Sequence, residues 1–318
     1  MAFMRLVFLG TPAFAVPTLE RVAAAGLHAL AVVTQPDRPR GRGQRDAPSP
    51  VKEAALRLGI PVHQPERVRR PEAVAMLRAL APDAMVVVGY GQIIPQTVID
   101  IAPLGIINVH ASLLPKYRGA APLQWAIVHG ETRTGVTTMR IDAGLDTGDI
   151  LLAKETGIGP EETAMELGAR LAEMGADLLV ETLAGLEAGA IVPRKQDPSQ
   201  ATYAPLLKKE DGLIDWRQPA AAIHNRVRGW QPWPGAYTTF RGQTLHIWRA
   251  RVVEGTPAGR PPGLAGHFSA LKPPSVNCGF DSLELVEVQL EGRRRMSAAD
   301  FANGQRLTES DSLGALRL

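Results

Sequence analysis

The chain reads as an α/β protein in which a doubly wound, mostly parallel sheet is followed by a small antiparallel β-barrel. Three features predict this. The early strands are apolar without alternation, as in "DAMVVVGYG", and strands buried on both faces belong to parallel sheets covered by helices. Helical segments separate those strands. Beyond about Leu207 the pattern changes to short alternating runs, "AYTTF", "TLHIWRARVV" and "SLELVEVQL", punctuated by Gly and Pro, which suits a small barrel.

Taken in order, "RLVFLG" (Arg5–Gly10) is a strand ending in Gly-Thr-Pro, the signal of a turn and a helix start. The helix after it ends near Gly26, and Ala29 to Gln35 forms the second strand. "SPVKEAALRLG" is a helix with Ser49 as its cap and Pro50 at its first position. A further helix, "EAVAMLRALAP", leads into "DAMVVVGYG", and "GIINVHA" follows one more helical segment. "GVTTMRID" and "DILLAKE" are strands joined through "AGLDTGD". A helix from about Glu161 to Leu186 places Leu167, Leu171, Met174 and Leu178 on one face. The expected division is 1–188 for the sheet domain, 189–206 for a non-periodic linker and 207–318 for the barrel. Trp216, Trp230 and Trp233 are read as core, since tryptophan is highly buried on average.

Composition narrows the function. With 318 residues, 45% hydrophobic and 21% charged, the chain is expected to be globular. No apolar run reaches the roughly 20 residues that cross a bilayer, so no membrane partner is expected. The apolar run in "MAFMRLVFLGTP" is too short for a signal peptide. The single cysteine, Cys278, excludes an internal disulfide framework and a cysteine-rich metal site. A cytoplasmic monomer is the expectation. Charge is uneven: from Leu207 onward there are 15 Lys or Arg against 11 Asp or Glu, and before it 20 against 21. A basic C-terminal part is compatible with a polyanionic partner.

Parallel sheets gather ligands at the carboxyl ends of their strands, where Gly89 and His110 fall. "GTPAFAVP" lacks G-x-G-x-x-G, which argues against a dinucleotide. Neither H-E-x-x-H nor a Cys ligand is present, so no metal is expected, and Ser112 lacks the G-x-S-x-G turn of a hydrolase nucleophile. In "INVHASLLPKYRGAAP", Asn108 and His110 are two apart on one strand and share a face. Two donors converging at a strand end can hold a carbonyl oxygen as it gains negative charge. A carboxylate from "DAGLDTGD", at Asp146, can orient the imidazole or take a proton. The same residues also fit a satisfied structural Asn-His pair, with Asp142, Asp146 and Asp149 as turn formers beside Gly144 and Gly148.

"NVHASLLPKYRGAAP" together with "GVTTMRIDAGLDTGDIL" resembles the folate-dependent formyltransferases. The resemblance implies their Rossmann-like domain followed by an OB-like barrel, and the donor 10-formyltetrahydrofolate without a metal. It assigns catalysis to Asn108, His110 and Asp146, and folate binding to Ser112, Leu113, Leu114 and Pro115. The pterin is expected against the chain at Val86, Val88, Gly89 and Tyr90 and the loop from Asp142 to Asp146. Lys116, Tyr117 and Arg118 are expected to turn toward the entrance.

The acceptor is argued from the rest of the chain. "TQPDRPRGRGQRDAPSPVK" carries Arg38, Arg40, Arg42 and Arg45 among prolines and glycines. It resembles the inserted loop of the family members that formylate initiator methionyl-tRNA, with Arg42 matching their acceptor-stem contact. "LIDWRQPAAAIHNRVRGWQPWPGAYT" resembles the start of their C-terminal barrel. Lys208, Lys209 and Arg249, with Arg226, Arg228, Arg251 and the run Arg293 to Arg295, are the expected phosphate contacts. The alternatives are transfer to a small amine, such as glycinamide ribonucleotide or an amino-sugar nucleotide, and non-catalytic tRNA binding on the same fold.

Overall fold

The computed structural model describes residues 4–40, 45–255 and 264–314, so Arg42 lies outside the described residues. In chain order the elements are β1 (Arg5–Gly10), α1 (Val16–Ala24), β2 (His28–Val33), β3 (Arg38–Arg40), β4 (Arg45–Ala47), α2 (Pro50–Arg57), β5 (Val62–His63), α3 (Pro71–Leu80), β6 (Ala84–Val88), α4 (Gln96–Ile99), β7 (Ile106–His110), β8 (Arg118–Gly119) and α5 (Pro122–Val128). They continue with β9 (Arg133–Arg140), β10 (Ile150–Gly157), α6 (Ala164–Glu187), β11 (Tyr203–Ala204), α7 (Ala220–Gly229), β12 (Ala236–Phe240), β13 (Gln243–Val253), β14 (Phe268–Leu271), β15 (Pro274–Asn277), β16 (Ser282–Leu290), β17 (Met296–Ser297) and α8 (Ala298–Gln305). Two compact units result: Met1–Pro122, Arg133–Gly157 and Gly168–Pro205 form the first, and Leu123–Thr132, Ile158–Leu167 and Leu206–Leu318 the second. Residues 123–132 and 158–167, read with the sheet domain in the sequence, thus group with the barrel.

The first unit is built on a seven-stranded sheet of order β10-β9-β7-β6-β1-β2-β5. The five strands from β7 to β5 run parallel, and β9 and β10 extend the sheet antiparallel. The uninterrupted apolar run of β6 follows from its place. Every one of its residues is buried, and its backbone pairs with β1 on one side and β7 on the other. Ser49 caps α2 as expected, its hydroxyl accepting from Lys52 N at 3.1 Å with Pro50 at the first position. The long helix starts at Ala164 rather than Glu161. Thr163 and Glu166 form a reciprocal cap there, with Thr163 N and Oγ1 each donating to Glu166 Oε2 at 2.8 Å. Those two hydrogen bonds hold the Glu166 carboxyl below its ordinary pKa. Gly175 lets this helix approach the sheet, since a Cβ there would stand 2.7 Å from Val109 Cγ1.

The stretch 189–206, expected as a linker, is folded against this unit as far as Pro205. Arg194 bridges to Ile150, a single 3-10 turn covers Pro198–Gln200, and β11 pairs in parallel with β8.

The second unit is an antiparallel sheet of order β12-β13-β16-β15-β14, with β17 on β16. Its two edges are drawn together by Ser312 and Leu313, which bridge to His267 and Phe240 respectively. Ile223 and Val227 of α7 pack with Leu245, Ile247, Leu285 and Phe301 in its core. Trp216 and Trp230 are buried as expected. Trp216 Nε1 donates to Thr238 Oγ1 at 3.0 Å, and Trp230 meets Trp125 edge-on at 5.0 Å. Trp233 is 52% exposed, a departure from the core reading. It sits in a Pro-Trp-Pro turn between two elements, where the chain offers no face to bury it.

The clasp next to Ser312 has a pH signature. Asp311 accepts from Arg241 Nε and Nη2, each at 2.8 Å, and from Thr308 N and Oγ1. The Arg241 hydrogen bond is the main cause that lowers its pKa to about 2. An unfolded aspartate titrates near 3.9, so the stabilisation is present above about pH 4 and is lost as pH falls through about 2. Arg241 is half exposed to solvent, so the pair contributes only modestly. Asp311→Asn is expected to be less resistant to urea at pH 7, with the gap to the parent closing toward pH 2.

Candidate active site

The site is assembled at the carboxyl end of β7. Alternation along the strand puts Asn108 and His110 on one face. The register sets Asn108 beside Val87 of β6 and Met139 of β9, and His110 beside Thr137. Asn108 is half-buried, and its side-chain amide has no hydrogen-bond partner among the described residues. His110 is 5% exposed. Its Nε2 stands 2.9 Å from the Tyr117 carbonyl. A carbonyl can only accept, so Nε2 carries the hydrogen and Nδ1 is the nitrogen that gains and loses a proton. Nδ1 faces Asp146 Oδ2 at 3.8 Å. The structure therefore brings His110 and Asp146 together, with Asn108 two residues before His110 on the same face of β7.

Asp146 is held from both ends. Its Oδ2 accepts from Gly119 N at 2.8 Å, and its backbone takes a left-handed φ of 51°, a conformation that aspartate tolerates better than most residues. Gln196 Nε2 donates to the carbonyls of Asp146 and Gly148, both at 2.8 Å. Gln196 Oε1 accepts from Arg118 Nε and Nη2 at 3.1 and 2.7 Å. Arg118 is 4% exposed, which corrects the expectation that it turns toward the entrance. Tyr117 is buried as well, and of that trio only Lys116 is exposed. Arg118 serves instead as a buried strut, and burying a guanidinium requires such hydrogen bonds. Gln196→Leu leaves that guanidinium without its acceptor and is expected to cost about 2–3 kcal/mol in denaturant unfolding.

The segment Ser112 to Pro115 is clamped by β9. Thr137 Oγ1 donates to Ser112 O at 2.7 Å and accepts from Leu114 N at 3.1 Å, while Ser112 Oγ donates to Lys116 O at 2.6 Å. Leu114 packs with Met139 and Ile150. Leu113 and Pro115 are half-buried, leaving apolar surface for a ligand. From the stretch 189–206, Thr202 Oγ1 and O accept from Tyr117 N and Arg118 N. Thr137, Gln196 and Thr202 carry no motif of their own. Only the burial of Thr137 in an apolar strand and of Gln196 in a polar stretch marks them.

Other expected contacts are dispersed. Gly89 and Tyr90 line a cleft of about 610 Å³ with Thr11, Pro12, Gln35 and Arg38, at the carboxyl ends of β1, β2 and β6. The Tyr90 ring itself is core, 1% exposed, and burial pushes its hydroxyl up to about 12. Its carbonyl accepts from Thr11 Oγ1 and Gln35 Nε2. Val86 and Val88 have fully buried side chains within the sheet. Asp142 is exposed and ties its own loop by accepting from Gly144 N and Thr147 Oγ1. None of Asn108, His110 and Asp146 lines the cleft. Arg38 is exposed, and Arg40 and Arg45 fall on β3 and β4. In the second unit Lys208, Lys209 and Arg249 are exposed. Arg228 is buried and donates to the carbonyls of Gly159 and Glu162, so it is not available to phosphate. No group of acidic, His or Cys residues among the described residues is placed to hold a metal ion, and no described helix is long and apolar enough to cross a membrane.

Comparison with known proteins matches residues 4–183 to the formyl transferase family model and 206–306 to the formyl transferase C-terminal domain model. A methionyl-tRNA formyltransferase of Solibacter usitatus is 73% identical over 311 residues, covering 98% of this chain and 99% of the relative. One from Koribacter versatilis is 57% identical over 98% and 99%. Among solved structures, HypX from Aquifex aeolicus in complex with tetrahydrofolic acid superposes with a TM-score of 0.64 at 17% identity, over 95% of this chain and 47% of that one, a likeness of fold. Two matching family models, in order along the chain, and relatives of this identity over nearly its whole length agree with the motifs around Asn108, His110 and Asp146, and the chain belongs to the formyl transferase family, among its methionyl-tRNA formyltransferases.

Proposed function

We propose that the chain transfers the formyl group of 10-formyltetrahydrofolate to the α-amino group of methionine on initiator methionyl-tRNA. The observation that carries the chemistry is the pairing of His110 Nδ1 with Asp146, on the strand face that also carries Asn108, whose amide has no partner among the described residues. The acceptor rests on the high-identity relatives, which are named for it. We read 1–188 as the catalytic part, 189–206 as its connection, and 207–318 as the part that holds tRNA.

The residues present fit a folate donor. Asn108 offers an amide with no hydrogen-bond partner among the described residues, and the half-buried Leu113 and Pro115 offer apolar surface. The donor supplies an activated formyl carbon. Asn108 and the Nδ1–H of charged His110 donate to the formyl oxygen as it gains negative charge, in a buried setting that strengthens both bonds. Asp146 Oδ2, 3.8 Å from Nδ1, faces the ring and keeps it oriented. A carbon–nitrogen bond forms to the methionyl amine as the bond to the folate nitrogen breaks. Charged His110 gives its Nδ1 proton to that nitrogen and takes one back from the amine, so no net proton is gained or lost.

Single-turnover transfer with methionyl initiator tRNA and glycinamide ribonucleotide as parallel acceptors tests the reading. Formylation of the tRNA alone, lost in His110→Ala, is expected. Activity on the ribonucleotide alone would overturn the acceptor, and tRNA binding without transfer to either would favour the non-catalytic reading.

A further inference from the structure

The second unit carries an aromatic row that the proposed chemistry does not use. Along β13 alternation sends Leu245 and Ile247 into the core and His246 and Trp248 to the opposite face. Tyr237 of β12 is the register partner of His246. The Tyr237 and His246 rings lie 5.9 Å apart, and His246 and Trp248 lie 6.1 Å apart with planes at 27°. All three are half-buried, so part of each ring is open to a ligand. Together with Lys209, Thr244, Gln289 and Glu291 they line a cleft of about 440 Å³, within the range of small-ligand sites.

The platform is pre-set. Trp248 Nε1 donates to Gln289 Oε1 at 3.1 Å, and the Arg295 guanidinium lies 4.9 Å from the Trp248 ring centre. Burial is the main cause that holds His246 below its ordinary pKa, with Lys209 adding to it and Glu291 opposing it. At neutral pH the imidazole is therefore an uncharged stacking surface. Charge lies close by in the chain. Arg293 and Arg294, which directly follow the lining residue Gly292, are exposed and hold no ion pair among the described residues, and Lys209 stands in the lining. Of the acids nearby, Glu287 is paired with Arg295, and Glu291 accepts from Thr244 N.

We propose that this cleft takes an unpaired nucleobase of an RNA strand, stacked on His246 and Trp248, with the flanking phosphates on Lys209, Arg293 and Arg294. The proposal rests on the tRNA reading above and deepens it. Aromatic faces bind any base by stacking, whereas a duplex keeps those faces covered. An apolar peptide would need an apolar rim, and this one is charged.

The test uses the full chain and a short single-stranded RNA carrying 2-aminopurine, whose fluorescence falls on stacking. Quenching by the parent protein is expected, with affinity about 5- to 100-fold weaker in Trp248→Ala and nearly retained in Trp248→Phe. Formyl transfer to methionyl-tRNA, run in parallel, should show a raised KM for tRNA in Trp248→Ala with kcat kept. Equal quenching by parent and a folded Trp248→Ala, with transfer intact, would overturn the base site and leave the reaction standing. Quenching that depends on Trp248 in a protein that formylates no tRNA would do the reverse. Should Trp248→Ala fail to fold, 4-thiouridine cross-linking on the parent chain decides: a cross-link within Gln243–Val253 supports the site, and cross-links confined elsewhere overturn it.

Discussion

Asn108→Ala is expected to slow single-turnover formyl transfer on the order of 100- to 1000-fold while leaving donor affinity nearly unchanged. The amide has no protein partner among the described residues, so its loss costs the fold little. What it loses is a donor that meets full negative charge only in the transition state, and such a donor acts on kcat rather than on KM. A raised KM with kcat preserved would mean that the amide only holds the ground-state donor, and the oxyanion role would fall.

For Asp146→Asn the expected loss is on the order of 100- to 10,000-fold in the same rate, the span typical of positioned proton-transfer groups. The substitution is close to isosteric, and an amide oxygen can still accept from Gly119 N, which the carboxylate meets at 2.8 Å. The loop should therefore keep its shape while the charge facing His110 Nδ1 disappears. Thermal unfolding near the parent value together with a slow rate would separate the electrostatic role from a structural one. A parent-like rate would show that the carboxylate's charge is not used.

Much of the first unit was legible because its signals are local. The apolar run of β6 and the Ser49-Pro50 start of α2 each depend on neighbours within a few residues. Asn108 and His110 were legible for the same reason, since alternation along one strand is enough to align them. The rest depends on pairings that no local period records. Gln196 reaches Arg118 across 78 residues of chain, and it lies in a stretch whose Pro, Gln and Ser content reads as a connection. Arg118 lies two residues after exposed Lys116, yet its guanidinium is buried because Gln196 meets it. Tyr90 stands at the right strand end, but its ring turns into the core and only its backbone edge reaches the cleft. The burial expected of Trp233 rests on an average for its residue type, and a turn between prolines overrides that average.

The fastening of 189–206 onto the sheet bears on how separable the two halves are as working parts. A fragment ending at Glu187 would keep every strand of the seven-stranded sheet. It would also release Gln196, which holds the carbonyls of Asp146 and Gly148, and Thr202, which holds the amides of Tyr117 and Arg118. The portable part is thus longer than its sheet. Grafting this half onto a different acceptor-binding module calls for a junction after Pro205, where the chain passes from one compact unit to the other. A junction at the end of α6 would carry over the scaffold and leave behind the brace that keeps it in working order.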